Sequence, residues 1–190
     1  MKKIIIAFLM FSLISCDLLT TREPEQPNTA GNSNIPATSP DILFNNFISS
    51  IQNKILENYL ACFIDPSFSN KKYKFIASAG SVSQYPALIG WNIDSERQYF
   101  QIMKAKAKDG QSITLTLSNG NNTQLGDSAV YQYDYSLSFL ANDQTISGEY
   151  KGSVQFKIYL DSRNQWVIGE WYDLRKDNYS SWSELKGRLY

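Results

Sequence analysis

The chain has no histidine among its 190 residues, and only two cysteines, Cys16 and Cys62. Without an imidazole there is no Ser-His or Cys-His couple to activate a nucleophile. With so few soft ligands there is no credible zinc, copper or haem set, so neither a metal nor another cofactor is expected. No glycine-rich phosphate loop follows a strand, and the Gly-Asn-Asn and Gly-Asp pieces read as hairpin turns. Long runs of basic residues are missing too. Long apolar runs are scarce: the one strongly hydrophobic stretch, "IIIAFLMFSLIS", covers residues 4–15. As a helix it would rise about 18 Å against a hydrocarbon core of ~30 Å, too short to span a bilayer.

That stretch has the form of an export signal. Lys2 and Lys3 give the positive start, and the apolar run of secretory length follows. It ends in Leu13-Ile14-Ser15-Cys16 rather than in a small-x-small cleavage site. Those four residues resemble the lipobox of bacterial lipoproteins. The resemblance implies cleavage before Cys16, with a diacylglycerol on its sulfur and an acyl chain on the new amino group. Each buried methylene contributes about 0.8 kcal/mol, so two or three chains hold a protein on a bilayer far more firmly than one. The expected location is therefore exported and lipid-anchored, at the cell membrane or the outer membrane. Once Cys16 is lipidated, Cys62 has no partner within the chain. Leu60, Phe63 and Ile64 around it are apolar, which fits a small buried hydrophobe rather than a nucleophile.

Residues 16–38 read as a lipid-anchored tether. The stretch "DLLTTREPEQPNTAGNSNIPAT" is rich in Pro, Asn, Thr and Gly and has little apolar content after Leu19. It cannot bury enough surface to offset the entropy of ordering. Its span is at most roughly 70 Å and averages nearer 25 Å as a coil. Losing residues 1–15 removes two lysines and leaves 16 basic against 18 acidic residues. A mildly acidic chain without a Lys/Arg run offers no footprint for nucleic acid, and the sequence shows no polybasic patch for anionic lipid. The remaining residues, 39–190, suit one domain.

That domain is expected to be α+β. Ser39-Pro40-Asp41 supplies a capping hydroxyl, a proline at the first helical position and an acid at the positive helix end. Phe44, Phe47, Ile48, Ile51, Ile55 and Tyr59 then recur at helical spacing, predicting helices over about 40–52 and 54–63. A third helix is expected over about 95–107, capped by Asp94 or Ser95, with Tyr99, Met103 and Ile102 inward. "KYKFIAS" reads as a short strand. After it the period changes to two in "SITLTLS", "YQYDYSLSF" and "SVQFKIYL", with turns at Asn119-Gly120, Gly126-Asp127, Asn142-Asp143 and 161–164. "QWVIGEWYDL" is a further strand, and Ser181 and Glu184 in "SSWSELKGRLY" stand in capping-box spacing for a short last helix.

This order, with "SPDILFNNFISSIQNKILENYLACFIDPSF" as an opening helix pair, "GDSAVYQYDYSLSF" as a hairpin strand and "WVIGEWYDL" followed by "SWSELK", resembles the NTF2-like superfamily, alongside ketosteroid isomerase, the SnoaL-type cyclases and scytalone dehydratase. The resemblance covers about residues 39–190. It implies a cone: N-terminal helices in a strongly curved, mainly antiparallel sheet, open at one end to a pocket and able to pair through the sheet as a homodimer.

Enzymes of that superfamily carry an Asp or His base in the cone, and here only a carboxylate could serve. Asp134, Glu170 and Asp173 are the strand-borne candidates, with Tyr133, Tyr135 or Tyr172 as donors to an oxyanion. Asp134 shares its phase with Gln132, Ser136 and Ser138, the solvated face. Glu170 shares its phase with Trp166, Ile168 and Tyr172, and Asp173 shares the other with Val167 and Trp171. Trp91, Tyr99, Trp171 and Tyr172 are candidates for lining a ligand site. Two functions follow: a non-catalytic module binding a small apolar ligand, a glycan or an envelope protein, and, as the alternative, a carboxylate-based isomerase, dehydratase or hydrolase. An unpaired, desolvated Asp173 or Glu170 in a deep pocket favours the enzyme; a cone filled by Trp and Phe favours the module.

Overall fold

The computed structural model describes residues 34–176 and 178–190. The expected signal peptide, Cys16 and the tether as far as residue 33 lie outside the described residues. The first helix, α1 (Pro40–Gln52), begins where Ser39 accepts from the Ile42 amide. Lys54, in the left-handed region at φ 57°, ends that run, and α2 (Leu56–Leu60) follows. α2 is shorter than the expected 54–63. The reason lies in the sheet: Cys62 to Ile64 leave the helix to bond the last strand, with Ile64 N donating to Ile168 O at 3.0 Å and Ile168 N to Cys62 O at 2.8 Å.

Then come β1 (Lys74–Ile76), a single helical turn α3 (Ser81–Gln84), a 3-10 turn (Pro86–Leu88) and α4 (Ile93–Lys106). Sequence reading missed the two short turns, which have no room for a period. It also misplaced the α4 cap: Asn92, not Asp94 or Ser95, accepts from the Asp94 and Ser95 amides, so Asp94 falls in the first turn. Four long strands close the sheet, β2 (Thr114–Leu125), β3 (Ser128–Ser138), β4 (Glu149–Leu160) and β5 (Trp166–Arg175), before α5 (Trp182–Leu189).

The strand order is β1-β5-β4-β3-β2, with β1 parallel to β5 and every other pair antiparallel. Asn119-Gly120 is not a turn. The register between β2 and β3 shifts from Ser118 to Asn121, so these two residues form a bulge inside one long strand, with Asn119 at φ 53°. The hairpin turn is at Gly126-Asp127.

A second bulge changes the reading of β5. The register with β4 jumps from Lys157↔Glu170 to Ile158↔Ile168, leaving Gly169 over. An extra residue reverses the phase. Trp166 and Ile168 face the core before the bulge, and Trp171 and Asp173 face it after. Glu170 therefore does not share a face with Trp166 and Ile168, as strict alternation predicts. Gly169 also accommodates a neighbour, since a Cβ there would meet the Tyr159 ring at 2.5 Å.

The interior between sheet and helices is aromatic. Phe47 of α1 touches Tyr59, Phe63, Phe156, Trp171 and Trp182, with ring centroids 5.7 to 6.1 Å away. Trp182 of α5 stands edge-on to Trp171 at 4.5 Å. Such contacts contribute about 0.5–1.5 kcal/mol each beyond area burial. α5 thus inserts its first residue into the centre of the domain.

Candidate functional site

Two charged groups lie where an apolar core is expected. Glu96 sits on the stripe of α4 that also carries Tyr99, Phe100 and Met103, and Lys186 on the stripe of α5 that carries Trp182, Leu185 and Leu189. Both are 0 % exposed, and the Lys186 ammonium contacts both oxygens of the Glu96 carboxylate. A buried ion must have its remaining bonds satisfied, or its desolvation outweighs the attraction. Glu96 meets that demand with three further donors: Tyr59 OH, Tyr73 OH at 3.0 Å and Trp91 Nε1 at 2.6 Å. Lys186 meets it with aromatic faces, its Nζ lying 4.0 to 5.2 Å from the ring centroids of Trp171, Phe75, Tyr99 and Trp91. Burial pushes the Lys186 ammonium down to about 8, against the pull of Glu96. Burial and then the Glu96 charge push Tyr59 and Tyr73 well above the ordinary phenol range, so both remain donors.

The second polar cluster is built on Asp173. Its carboxylate accepts from Tyr135 OH at 2.8 Å, from the Ser183 amide at 2.7 Å and from the Ser183 hydroxyl. Tyr135 OH in turn accepts from the Trp182 amide at 2.7 Å. Ser181 caps α5 by accepting from the Glu184 amide, but the Glu184 carboxylate pairs with Arg175 at 3.1 Å instead of completing a capping box, and the acid that bonds an amide at the head of α5 is Asp173. An acid in that position is favoured by the helix end. Burial raises the Asp173 pKa, while the bonds from Ser183 and Tyr135 oppose the rise. Its negative charge is spent on holding α5.

Glu170 points to the other face of the sheet. It accepts from Tyr159 at 3.0 Å and Tyr172 at 2.7 Å, and Lys157 lies 3.6 Å away. Partial burial raises its pKa, but the bonds from Tyr172 and Tyr159 and the Lys157 charge outweigh this and hold it below the ordinary range. Asp134, on the same outer face, is bonded to Asn119 and Ser153 with Lys176 nearby. The two β5 carboxylates thus lie on opposite faces and do not form a pair.

Of the four residues expected to line a ligand site, Trp91, Tyr99 and Trp171 are buried around the Glu96–Lys186 pair, and Tyr99 accepts from Trp182 Nε1 at 2.9 Å. Tyr172 is half-buried on the outer face with Glu170. The four are therefore not brought together. Among the described residues, Tyr150 OH and Trp171 Nε1 are buried without a partner, and both are donors rather than bases. Cys62 is buried with its thiol bonded to Asn58 O at 3.3 Å, and burial raises its pKa. Among the described residues no cluster of three metal-ligating side chains occurs, and no helix is long and apolar enough to cross a membrane.

Sequence reading missed Glu96, Lys186 and the partners that enclose them. The signal was present: each is a lone charge on the apolar stripe of its helix, and the two charges are opposite.

No protein-family model matches the sequence, and no curated protein matches it significantly. Solved structures do match in fold. A protein of Novosphingobium aromaticivorans provisionally called a scytalone dehydratase aligns with a TM-score of 0.54 at 9% identity, over 70% of this chain and 78% of its own. A provisional dehydratase of the NTF2-like family from Streptomyces avermitilis gives 0.52 at 9% identity, over 72% and 92%. An NTF2-like superfamily protein of Salmonella enterica gives 0.51 at 14% identity, over 68% and 83%. At these identities the likeness is one of fold, and the fold is NTF2-like.

Proposed function

On an NTF2-like fold whose inward carboxylates are engaged with the protein's own side chains, we propose a membrane-tethered, non-catalytic module of the bacterial cell envelope. It is exported, anchored through lipid on Cys16, and meets a glycan or an envelope protein with its outer surface. The observation that carries this reading is the filled interior. A general base must reach a substrate proton through open space. Glu96 is enclosed by Lys186, Tyr59, Tyr73 and Trp91, and Asp173 by Tyr135 and Ser183. Trp171 and Trp182, both buried, pack edge-on against each other at 4.5 Å in the same interior. The same filling argues against a small apolar ligand inside the cone. The likeness to proteins provisionally called dehydratases supports the fold and carries no base to this chain.

Intact and native mass spectrometry of the chain extracted from its own membranes test both parts. The expected species begins at Cys16, carries a diacylglyceryl and an amide-linked acyl group, and retains no stoichiometric small molecule. An unprocessed N-terminus refutes the anchor; a small molecule retained one to one refutes the filled cone.

A further inference from the structure

The outer face of the sheet gathers lysines that are scattered in sequence. Lys71 and Lys157 both lie over the Tyr159 ring, with Nζ 4.7 and 5.5 Å from its centroid. Lys74 of β1 is in register with Glu170 of β5, which is in register with Lys157 of β4, so the three side chains form one row across adjacent strands. Lys71 and Lys74 are exposed, as is their neighbour Lys72. The only carboxylate in the row, Glu170, is tied to Tyr159, Tyr172 and Lys157. The nearby Arg163 is held by Asp161. In a chain that is mildly acidic after Cys16, this is a local excess of positive charge.

The place where the tether joins the domain lies beside it. Asn34 borders a surface groove with Ile64, Asp65, Arg163 and Gln165. Ala37 O accepts from Trp166 N at the start of β5. Ile64 forms a buried cluster with Tyr159 and Val167, under the ring on which both lysines rest.

We propose that Lys71, Lys74 and Lys157 dock this face of the domain on the anionic lipid headgroups of the bilayer that holds the chain. The proposal rests on the Cys16 anchor argued above. Ammonium groups gathered over and beside one tyrosine ring on an outer sheet face suit the headgroup layer. Each lysine near an anionic surface favours the docked state by about fivefold, or roughly a hundredfold for three. A free protein would gain little from contacts this weak, but a tether of this length presents the patch to the bilayer at millimolar effective concentration.

The test uses the full lipidated chain reconstituted in vesicles of phosphatidylcholine with and without phosphatidylglycerol. A membrane-impermeant amine-acylating reagent is applied, and each lysine is read by mass spectrometry. Lys104 and Lys108 are exposed at the end of β3 away from Tyr159 and serve as internal controls. Docking makes Lys71, Lys74 and Lys157 react at least about threefold more slowly on the anionic vesicles. The protection disappears in high salt and in the triple variant Lys71→Gln, Lys74→Gln, Lys157→Gln, read there at Lys72. A chain that floats with both vesicles and reacts equally on both overturns the docking and leaves the anchor standing. A chain that floats with neither overturns the anchor, and the docking with it.

Discussion

Replacing Lys186 with Met removes one positive charge from the centre of the domain and leaves nearly everything else in place. The methionine stem fills the same volume against Phe75, Trp91, Tyr99 and Trp171. The loss is therefore electrostatic. Glu96 is left at 0 % exposure with three donors and no cation. Stranding one partner of a buried pair costs about 3–5 kcal/mol. Against a total of about 5–15 kcal/mol for a domain, that is a large fraction. It corresponds to a fall in Tm of roughly 6–20 °C for a domain of this size. Urea and thermal unfolding of the mature chain measure it.

The pH dependence sharpens the test. In the wild type, Lys186 titrates at about 8 when folded and near the ordinary lysine value of ~10.4 when unfolded. Between those values the unfolded chain binds more protons, so this group's contribution makes stability rise with pH across that window. Lys186→Met lacks that rise. Adding Glu96→Gln removes the stranded charge and recovers about 2 kcal/mol as a coupling term. A Lys186→Met protein within about 1 kcal/mol of wild type, with no coupling to Glu96, refutes the buried pair.

Asp173→Asn turns an acceptor of three bonds into a group whose amide faces other donors, and it should cost about 1–3 kcal/mol in urea unfolding; an unchanged midpoint contradicts its role in holding α5. Gly187→Ala tests packing against propensity. Alanine favours a helix by about 1 kcal/mol, yet a Cβ there would meet Tyr85 Cγ at 2.3 Å, so the net effect should be destabilising; a stabilised variant contradicts the contact between α5 and the 85–88 turn. Asp161 is held below the ordinary carboxylate range: burial raises it, but Arg163 and the amides of Gln165 and Arg163 outweigh that. Its contribution is present above the unfolded pKa of ~3.9 and is lost as pH falls through the lower folded value, so Asp161→Asn should flatten the acid limb of a stability profile. Cys62 should resist alkylation in the native mature chain and react as one thiol in urea, whereas ready native labelling contradicts its burial.

Much of the fold was legible because the periods are long and clean. The stripe from Phe44 to Ile51 and the alternation in β3 and β4 each repeat often enough to fix element type, and Ser39-Pro40 and Ser181 mark two helix starts. What was not legible depends on single residues that break a period. Gly169 reverses the phase of β5, and Asn119-Gly120 is shaped like a turn yet lies within a strand, because only the partner strand decides whether a left-handed Asn closes a hairpin or makes a bulge. The interior charges were hidden differently. Glu96 in the first turn of α4 and Lys186 in the last turns of α5 are where a helix dipole favours exposed charges, so each looks like surface until both stripes are drawn. The separation of Glu170 from Asp173 was legible, since residues three apart on a regular strand face opposite ways; the bulge only takes Glu170 off the face of Trp166 and Ile168.

The central claim is that the cone is occupied by the protein's own side chains. All four tryptophans, Trp91, Trp166, Trp171 and Trp182, are at most 5 % exposed. Acrylamide quenching of tryptophan fluorescence in the native mature chain addresses this directly, because the quencher is small, neutral and able to enter any open pocket. The filled cone predicts blue-shifted emission with every tryptophan shielded, and full quenching only after unfolding. A native fraction quenched as readily as free tryptophan would show that Trp171 or Trp182 lines an open pocket, and would favour the alternative, a carboxylate-based enzyme.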